Sequence, residues 1–274
     1  MALRINTNSA SVFAQKHLSR SQERLSANFE KLSSGLRITK AADDAAGLAV
    51  SESMRSQIAS LAVAQRNTND GISMVQTAES ALANIGDSLS RMRELAVQSS
   101  SAVLQTSERA YLETEFAAVR TEIDRISDVT EFNGLSLVKA GVTTVAVQVG
   151  IFAAAANQIT VTLQASGKTA LGVQASKIDS VTDATAAITA LDLAIDTNNK
   201  SRAAFGSAQN SLSSALQNLE SYTENLVASE SRIRDVDFAS ETADMTRNSI
   251  FQQAGVAVLA QANVSGQVAL QLLQ

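Results

Sequence analysis

The stretch VQTAESALANIGDSLSRMRELA, residues 75–96, decides how this chain folds. Its apolar positions are Val75, Ala78, Leu82, Ile85, Leu89, Met92 and Ala96, spaced 3, 4, 3, 4, 3, 4. That alternation puts one apolar stripe along a helix and makes it a seam for another helix. Met54, Ile58 and Leu61 continue the stripe upstream, while Asp43 and Asp44 supply negative charge where a helix would begin. A helix from about 45 to 100 follows, roughly 80 Å long at 1.5 Å per residue.

A second seam lies late in the chain. Leu191, Phe205, Leu212, Leu219, Leu226 and Ile233 share one seven-residue register, broken only by Asn198, with Ile188, Ile195 and Leu216 at companion positions. A shorter helix is expected at about 105–129 through Leu112, Phe116, Val119, Ile123 and Ile126. Between the helical halves the texture changes. Residues 132–178 hold no Asp or Glu, glycines punctuate them, and the runs 143–149 and 158–163 alternate β-branched with small or polar residues. Two or three strands joined by turns are predicted there. The fold class is therefore mainly α: a long antiparallel coiled-coil hairpin or bundle with a small β subdomain at its tip.

The chain ends are thinner. Leu18, Leu25, Phe29, Leu32 and Leu36 keep a spacing of 7, 4, 3, 4. Burying five such side chains contributes on the order of 10 kcal/mol. Ordering about 20 backbone residues costs on the order of 20–40 kcal/mol before hydrogen bonding is counted. This helix needs a partner, and residues 248–274, which carry no charge, are the candidate. Gln and Asn interrupt that segment too often for a membrane span. The expected packing set is Leu18, Leu25, Phe29, Leu32 and Leu36 with Ile250, Val258, Leu259, Val264 and Val268. Two thin helices make a poor monomeric domain, so both termini are expected to order on assembly.

Composition removes several function classes. Aromatics are 4% of the chain, with no Trp, Pro or Cys, against 45% hydrophobic residues in all. Small aliphatic side chains suit close helix packing, and the lack of proline permits long helices. The net charge of −5 arises from interleaved acids and bases, without the basic patch of a nucleic-acid binder. The opening residues lack an apolar core, so no cleavable secretory signal is expected. His17 is the one histidine, and a single His without cysteine makes no zinc site. Asp43-Asp44 reads better as a helix start than as an acid/base pair. No phosphate loop or nucleophile elbow is present, so no enzyme and no cofactor are expected. The cluster Arg91, Met92, Arg93, Glu94 has two readings: a solvated face, or a subunit contact with Leu95 as an exposed apolar site at its edge.

The motifs Leu32-Ser-Ser-Gly-Leu-Arg-Ile38, Asp43-Asp-Ala-Ala-Gly47, Arg66-Asn-Thr-Asn-Asp-Gly-Ile-Ser73, Arg93-Glu-Leu-Ala-Val-Gln-Ser99, Glu122-Ile-Asp-Arg125 and Phe132-Asn-Gly134 come in this order. Ser231-Arg-Ile233, Gln252-Gln-Ala-Gly255 and Leu259-Ala-Gln-Ala-Asn263 follow. Together they resemble bacterial flagellin, across both terminal thirds and more weakly in the middle. The resemblance implies an inner domain of about 1–44 with 234–274, a rod of about 45–233 including a β region at 131–176, and no large outer domain. It implies a structural subunit of the extracellular flagellar filament, serving swimming motility and exported unfolded through the flagellar type III channel. The implied partners are copies of itself, the filament cap protein, hook-associated junction proteins, an export chaperone at the C-terminal helix, and Toll-like receptor 5 through Arg91, Leu95 and Glu115; nucleic acid and membrane insertion are not among them. Ser90 stands where the family usually carries Gln. A junction protein shares the terminal helices but usually lacks the full 91–99 motif. A signalling coiled coil would need a membrane span or sensor domain.

Overall fold

A computed structural model describes residues 8–139 and 144–271, with side chains described through residue 264. Nine regular elements are named here: α1 (Ser9–Ser34), α2 (Ala45–Ser99), α3 (Thr106–Val129), β1 (Glu131–Phe132), β2 (Leu135–Ser136), β3 (Thr144–Gln148), β4 (Gln158–Thr162), α4 (Val181–Arg234) and α5 (Phe238–Gln271). The described residues of Met1–Ser56 and Asn225–Gln274 form one compact unit, and Gln57–Glu224 form another.

The larger unit is built on the 75–96 seam. All seven seam residues, from Val75 to Ala96, are at 0% exposure. They join one apolar core with Phe116 and Ile123 of α3, Leu191, Phe205 and Leu212 of α4, and Val147 and Val161 of the β region. Helices α2 and α4 run antiparallel: Gln65 reaches Thr223 at 3.2 Å, and Arg93 reaches Asp192 at 2.7 Å. The β region is two separate antiparallel pairs, β1 with β2 and β3 with β4. In the second pair Val145 opposes Val161 and Val147 opposes Ile159. Alternation holds along both strands: Thr144 and Ala146 face out, while Val145 and Val147 face the core, as a half-buried strand requires.

Helix ends are closed by specific groups. The last carbonyls of α2 have no partner within the helix. Arg109, only 9% exposed, donates from Nε to the Ser99 carbonyl at 3.0 Å and from Nη2 to the Ser101 carbonyl at 2.8 Å. A cation there also complements the negative end of the helix dipole. The Ser99 hydroxyl in turn donates to the Ile178 carbonyl, tying this corner to the segment that enters α4. From α3, Glu113 accepts the Ile178 amide at 2.7 Å and Asp124 accepts the Lys168 amide at 3.1 Å. These bonds hold the irregular stretch before α4 against α3.

In the smaller unit, Gly35 at φ 72° ends α1, its amide bonding the Lys31 carbonyl at 2.9 Å. A residue with a Cβ reaches that left-handed conformation only with strain. Leu36 therefore lies beyond the helix, paired in an antiparallel bridge with Asp235, and not on the apolar stripe the spacing predicted. Asp44 accepts the Gly47 amide at 2.9 Å at the start of α2. Asp43 instead accepts three hydrogen bonds, from the Thr39 amide and hydroxyl and the Lys40 amide, at 3.0–3.1 Å. Both aspartates thus organise a helix entry, as their position predicted.

Candidate assembly surface

In the smaller unit α1 packs antiparallel on α5. Asn8 Nδ2 donates to the Ala262 carbonyl at 2.8 Å, Ser11 Oγ to Asn263 at 2.9 Å, and Asn248 Nδ2 to Asn28 Oδ1 at 2.9 Å, while Asn28 also donates to Glu241. The half-buried stripe on α1 is Ser11, Ala14, Leu18, Ser21, Leu25, Asn28 and Leu32; on α5 it is Glu241, Met245, Asn248, Gln252, Gly255, Leu259 and Ala262. Both stripes keep the 3, 4 alternation of a coiled coil, but small and polar side chains fill most positions. Among the described residues of α1 and α5, only Asn28 is buried below a tenth of its surface, at 8%.

Several other large apolar groups face solvent. Val12, Phe13, Phe29, Ile250, Phe251, Val256, Val258 and Val264 are 48–67% exposed. Of the expected packing residues, the structure brings Leu18, Leu25, Leu32 and Leu259 into the α1–α5 seam. It turns Phe29, Ile250, Val258 and Val264 outward, a correction to the sequence reading. Asn28, and not its neighbour Phe29, takes the central seam position between Leu25 and Leu32, so Phe29 lies at the flank of the stripe and its ring is left 56% exposed. Val268 lies outside the residues whose side chains are described. A pair of helices whose contact is filled largely by small and polar side chains, and which turns Phe13, Phe29, Ile250 and Phe251 to solvent, presents surface of the kind that marks a protein contact.

In the larger unit the residues singled out at 91–95 divide. Arg91 on α2 donates from Nε and Nη2 to Glu115 Oε1 of α3 at 3.0 and 2.7 Å, and from Nη1 to Glu94 at 2.9 Å. The Glu115 carboxylate, then Glu94, hold the guanidinium more firmly protonated than usual. Arg93 clips α2 to α4 through Asp192 at 2.7 Å, which acts on it in the same direction. Met92 and Leu95, by contrast, are 0% and 1% exposed. The exposed apolar site expected at Leu95 does not exist. Helix α2 faces both α3 and α4, so its buried face is wider than a two-helix seam and takes in Leu95. The exposed apolar group here is Val97, 48% exposed, which lines a shallow groove of about 570 Å³ with Ser90, Arg93, Glu94 and Gln98. Sequence reasoning missed Val97, although its place one turn after Arg93 on the charged face was legible. Arg109 was missed too, since nothing in its spacing marks it as a carbonyl cap.

His17 is exposed beside the Phe13 ring, and among the described residues no group of three His, Cys, Asp or Glu side chains is placed to hold a metal. No described helix is long and apolar enough to cross a membrane.

Comparison with known proteins settles the family. The model of the bacterial flagellin N-terminal helical region matches residues 5–143, and that of the C-terminal helical region matches residues 188–273. This chain belongs to the flagellin family. It is 46% identical to flagellin of Halalkalibacterium halodurans over 89% of this chain and 90% of that one. It is 41% identical to Bacillus subtilis flagellin, covering 99% of this chain and 100% of the relative, and 42% identical to the flagellar filament 33 kDa core protein of Treponema phagedenis, covering 98% and 99%. The crystal structure of Bacillus cereus flagellin superposes with a TM-score of 0.51 at 31% identity, over 56% of this chain and 88% of that one. A Vibrio parahaemolyticus protein described as flagellar hook-associated shares the fold at a TM-score of 0.60 and 13% identity, over 70% of this chain and all of that one. Flagellins are structural filament subunits and not enzymes, which agrees with the catalytically empty inventory read from the sequence.

Proposed function

We propose that copies of this flagellin polymerise into an extracellular flagellar filament that serves swimming motility. The observation that carries the reading is the outward set of Phe13, Phe29, Ile250 and Phe251 on a helix pair whose seam is filled largely by small and polar side chains. Residues 1–44 with 234–274 would form the inner layer of the tube, ordered by neighbouring copies, and 45–233 the rod outside it. With two short β pairs as the elaboration among the described residues, the filament surface would be slim and smooth. In this reading the chain leaves the cell unfolded through the flagellar type III channel, held beforehand by a chaperone at its C-terminal helix. It then adds beneath the cap protein, above the hook-associated junction proteins.

Recognition by Toll-like receptor 5 belongs to the same proposal, with its chemistry narrowed to Arg91, Glu94, Arg93 and Glu115, because Leu95 and Met92 are enclosed. The fold is shared with a hook-associated protein, but near-full-length sequence likeness to flagellins favours the filament over a junction role. Electron microscopy of purified protein after addition of filament seeds tests the proposal. Long tubes are expected from the full chain and none from a variant lacking the last 40 residues; a full chain that only caps seeds would refute the reading. For the receptor, Arg91→Ala together with Glu115→Ala should abolish cell activation, and full signalling by that variant would remove this part.

A further inference from the structure

The seam of α4 repeats strictly as Leu191, Asn198, Phe205, Leu212 and Leu219, and all five residues are buried. Asn198 is the one polar member, at 1% exposure. Its Nδ2 donates at 3.0 Å to the carbonyl oxygen of Leu82, inside α2. Its Oδ1 is buried without a hydrogen-bond partner. An amide so placed destabilises the fold relative to an apolar residue.

The amide reaches the α2 backbone because residue 86 has no side chain. A Cβ built at Gly86 would lie 3.1 Å from Asn198 Nδ2, and that amide nitrogen is the sole atom within 4 Å of it outside the helix's own backbone. The apolar stripe of α2 repeats every seven residues, so burial alone scarcely distinguishes the observed pairing from one in which α4 has slid by a heptad. After such a slide Glu79 or Arg93 stands where Gly86 stands now. Either side chain crowds the amide, since even a Cβ there lies 3.1 Å from Nδ2, and so weakens its bond to the backbone. The ion pairs Arg93–Asp192 and Arg202–Glu79 also change in a slide, but all four side chains are 41–53% exposed, and such pairs discriminate weakly.

We propose that Asn198 and Gly86 form a register lock: a polar side chain and a gap in the facing helix that permit one heptad pairing of α2 with α4 and penalise its neighbours, at some expense in stability. The chain has no cysteine, so introduced pairs report register without background. In the full-length protein, Gln65→Cys with Thr223→Cys marks the observed pairing, since these side chains meet at 3.2 Å. Gln65→Cys with Leu216→Cys, and Ile72→Cys with Thr223→Cys, mark slides in either direction. With a short bismaleimide, the chain carrying Asn198 should cross-link only in the observed pair. Asn198→Val should give a slid pair at a tenth or more of that yield and melt about 2–4 °C higher. Gly86→Ala keeps Asn198 but sets a methyl group against its amide; it should also admit a slid pair, while melting lower than the parent. Confinement of either variant to the observed pair overturns the lock. So does an Asn198→Val chain that melts lower or fails to fold, because Asn198 would then be a source of stability.

Discussion

Replacing Phe29 with Gln separates two accounts of the terminal helices. The spacing of the sequence placed Phe29 in the intramolecular seam; the structure leaves it 56% exposed at the flank of the α1 stripe. Full burial of a Phe side chain contributes about 1.5–3 kcal/mol. A neighbouring copy that covers the open half would gain about 1–1.5 kcal/mol, which corresponds to a rise of about 5- to 13-fold in the critical concentration for polymerisation when the ring is lost. Gln is a good helix former, so the isolated subunit should keep its stability to within about 0.5 kcal/mol. Were Phe29 a core residue of the α1–α5 pair, truncation would instead cost the monomer about 3–5 kcal/mol. Seeded growth followed by sedimentation gives the critical concentration from the protein left in the supernatant, and urea unfolding of unpolymerised protein gives the second quantity. An unchanged critical concentration, or a monomer weakened by more than about 2 kcal/mol, would refute the assignment of this face to assembly.

Arg109→Ala removes two charge-assisted hydrogen bonds and strands the Ser99 and Ser101 carbonyls at the end of α2, so a loss of about 3–5 kcal/mol is expected in urea titration of the larger unit's helices. Arg109→Lys should recover only part of it, because an ammonium cannot span both carbonyls in a fixed fork. Val97→Glu changes an exposed side chain and should leave unfolding within about 0.5 kcal/mol, whereas Leu95→Glu should prevent folding; equal behaviour of the two would contradict the burial pattern. The Lys40 amide first, then the Thr39 hydroxyl and amide, hold the Asp43 carboxyl below the usual aspartate range. A lowered native value means that this group's stabilisation is complete above the unfolded aspartate pKa and fades as pH falls through the native one. The stability gap between the parent and Asp43→Asn should therefore close in strongly acidic solution and stay constant around neutrality; a gap that widened on acidification would reverse the sign and refute the assignment.

Periodicity alone specified the central seam. Val75 through Ala96 formed an unbroken 3, 4 pattern, and a helix that long has no other way to remove such a stripe from water; the alternation at 143–149 and 158–163 likewise marked the β3–β4 pair. The empty catalytic inventory was legible in composition, and the family motifs in order and spacing. The stripe on α1 was read one residue off at Phe29, because small residues such as Ser21 and Asn28 carry the actual seam and give no hydrophobic signal. Leu95 depended on how many helices flank α2, which no pattern on α2 itself records. The caps by Arg109, the partner of Asn198 and the gap at Gly86 are long-range placements. They arise when elements separated by many residues meet, so that only the folded chain could decide whether a given polar group finds a carbonyl, an ion or solvent.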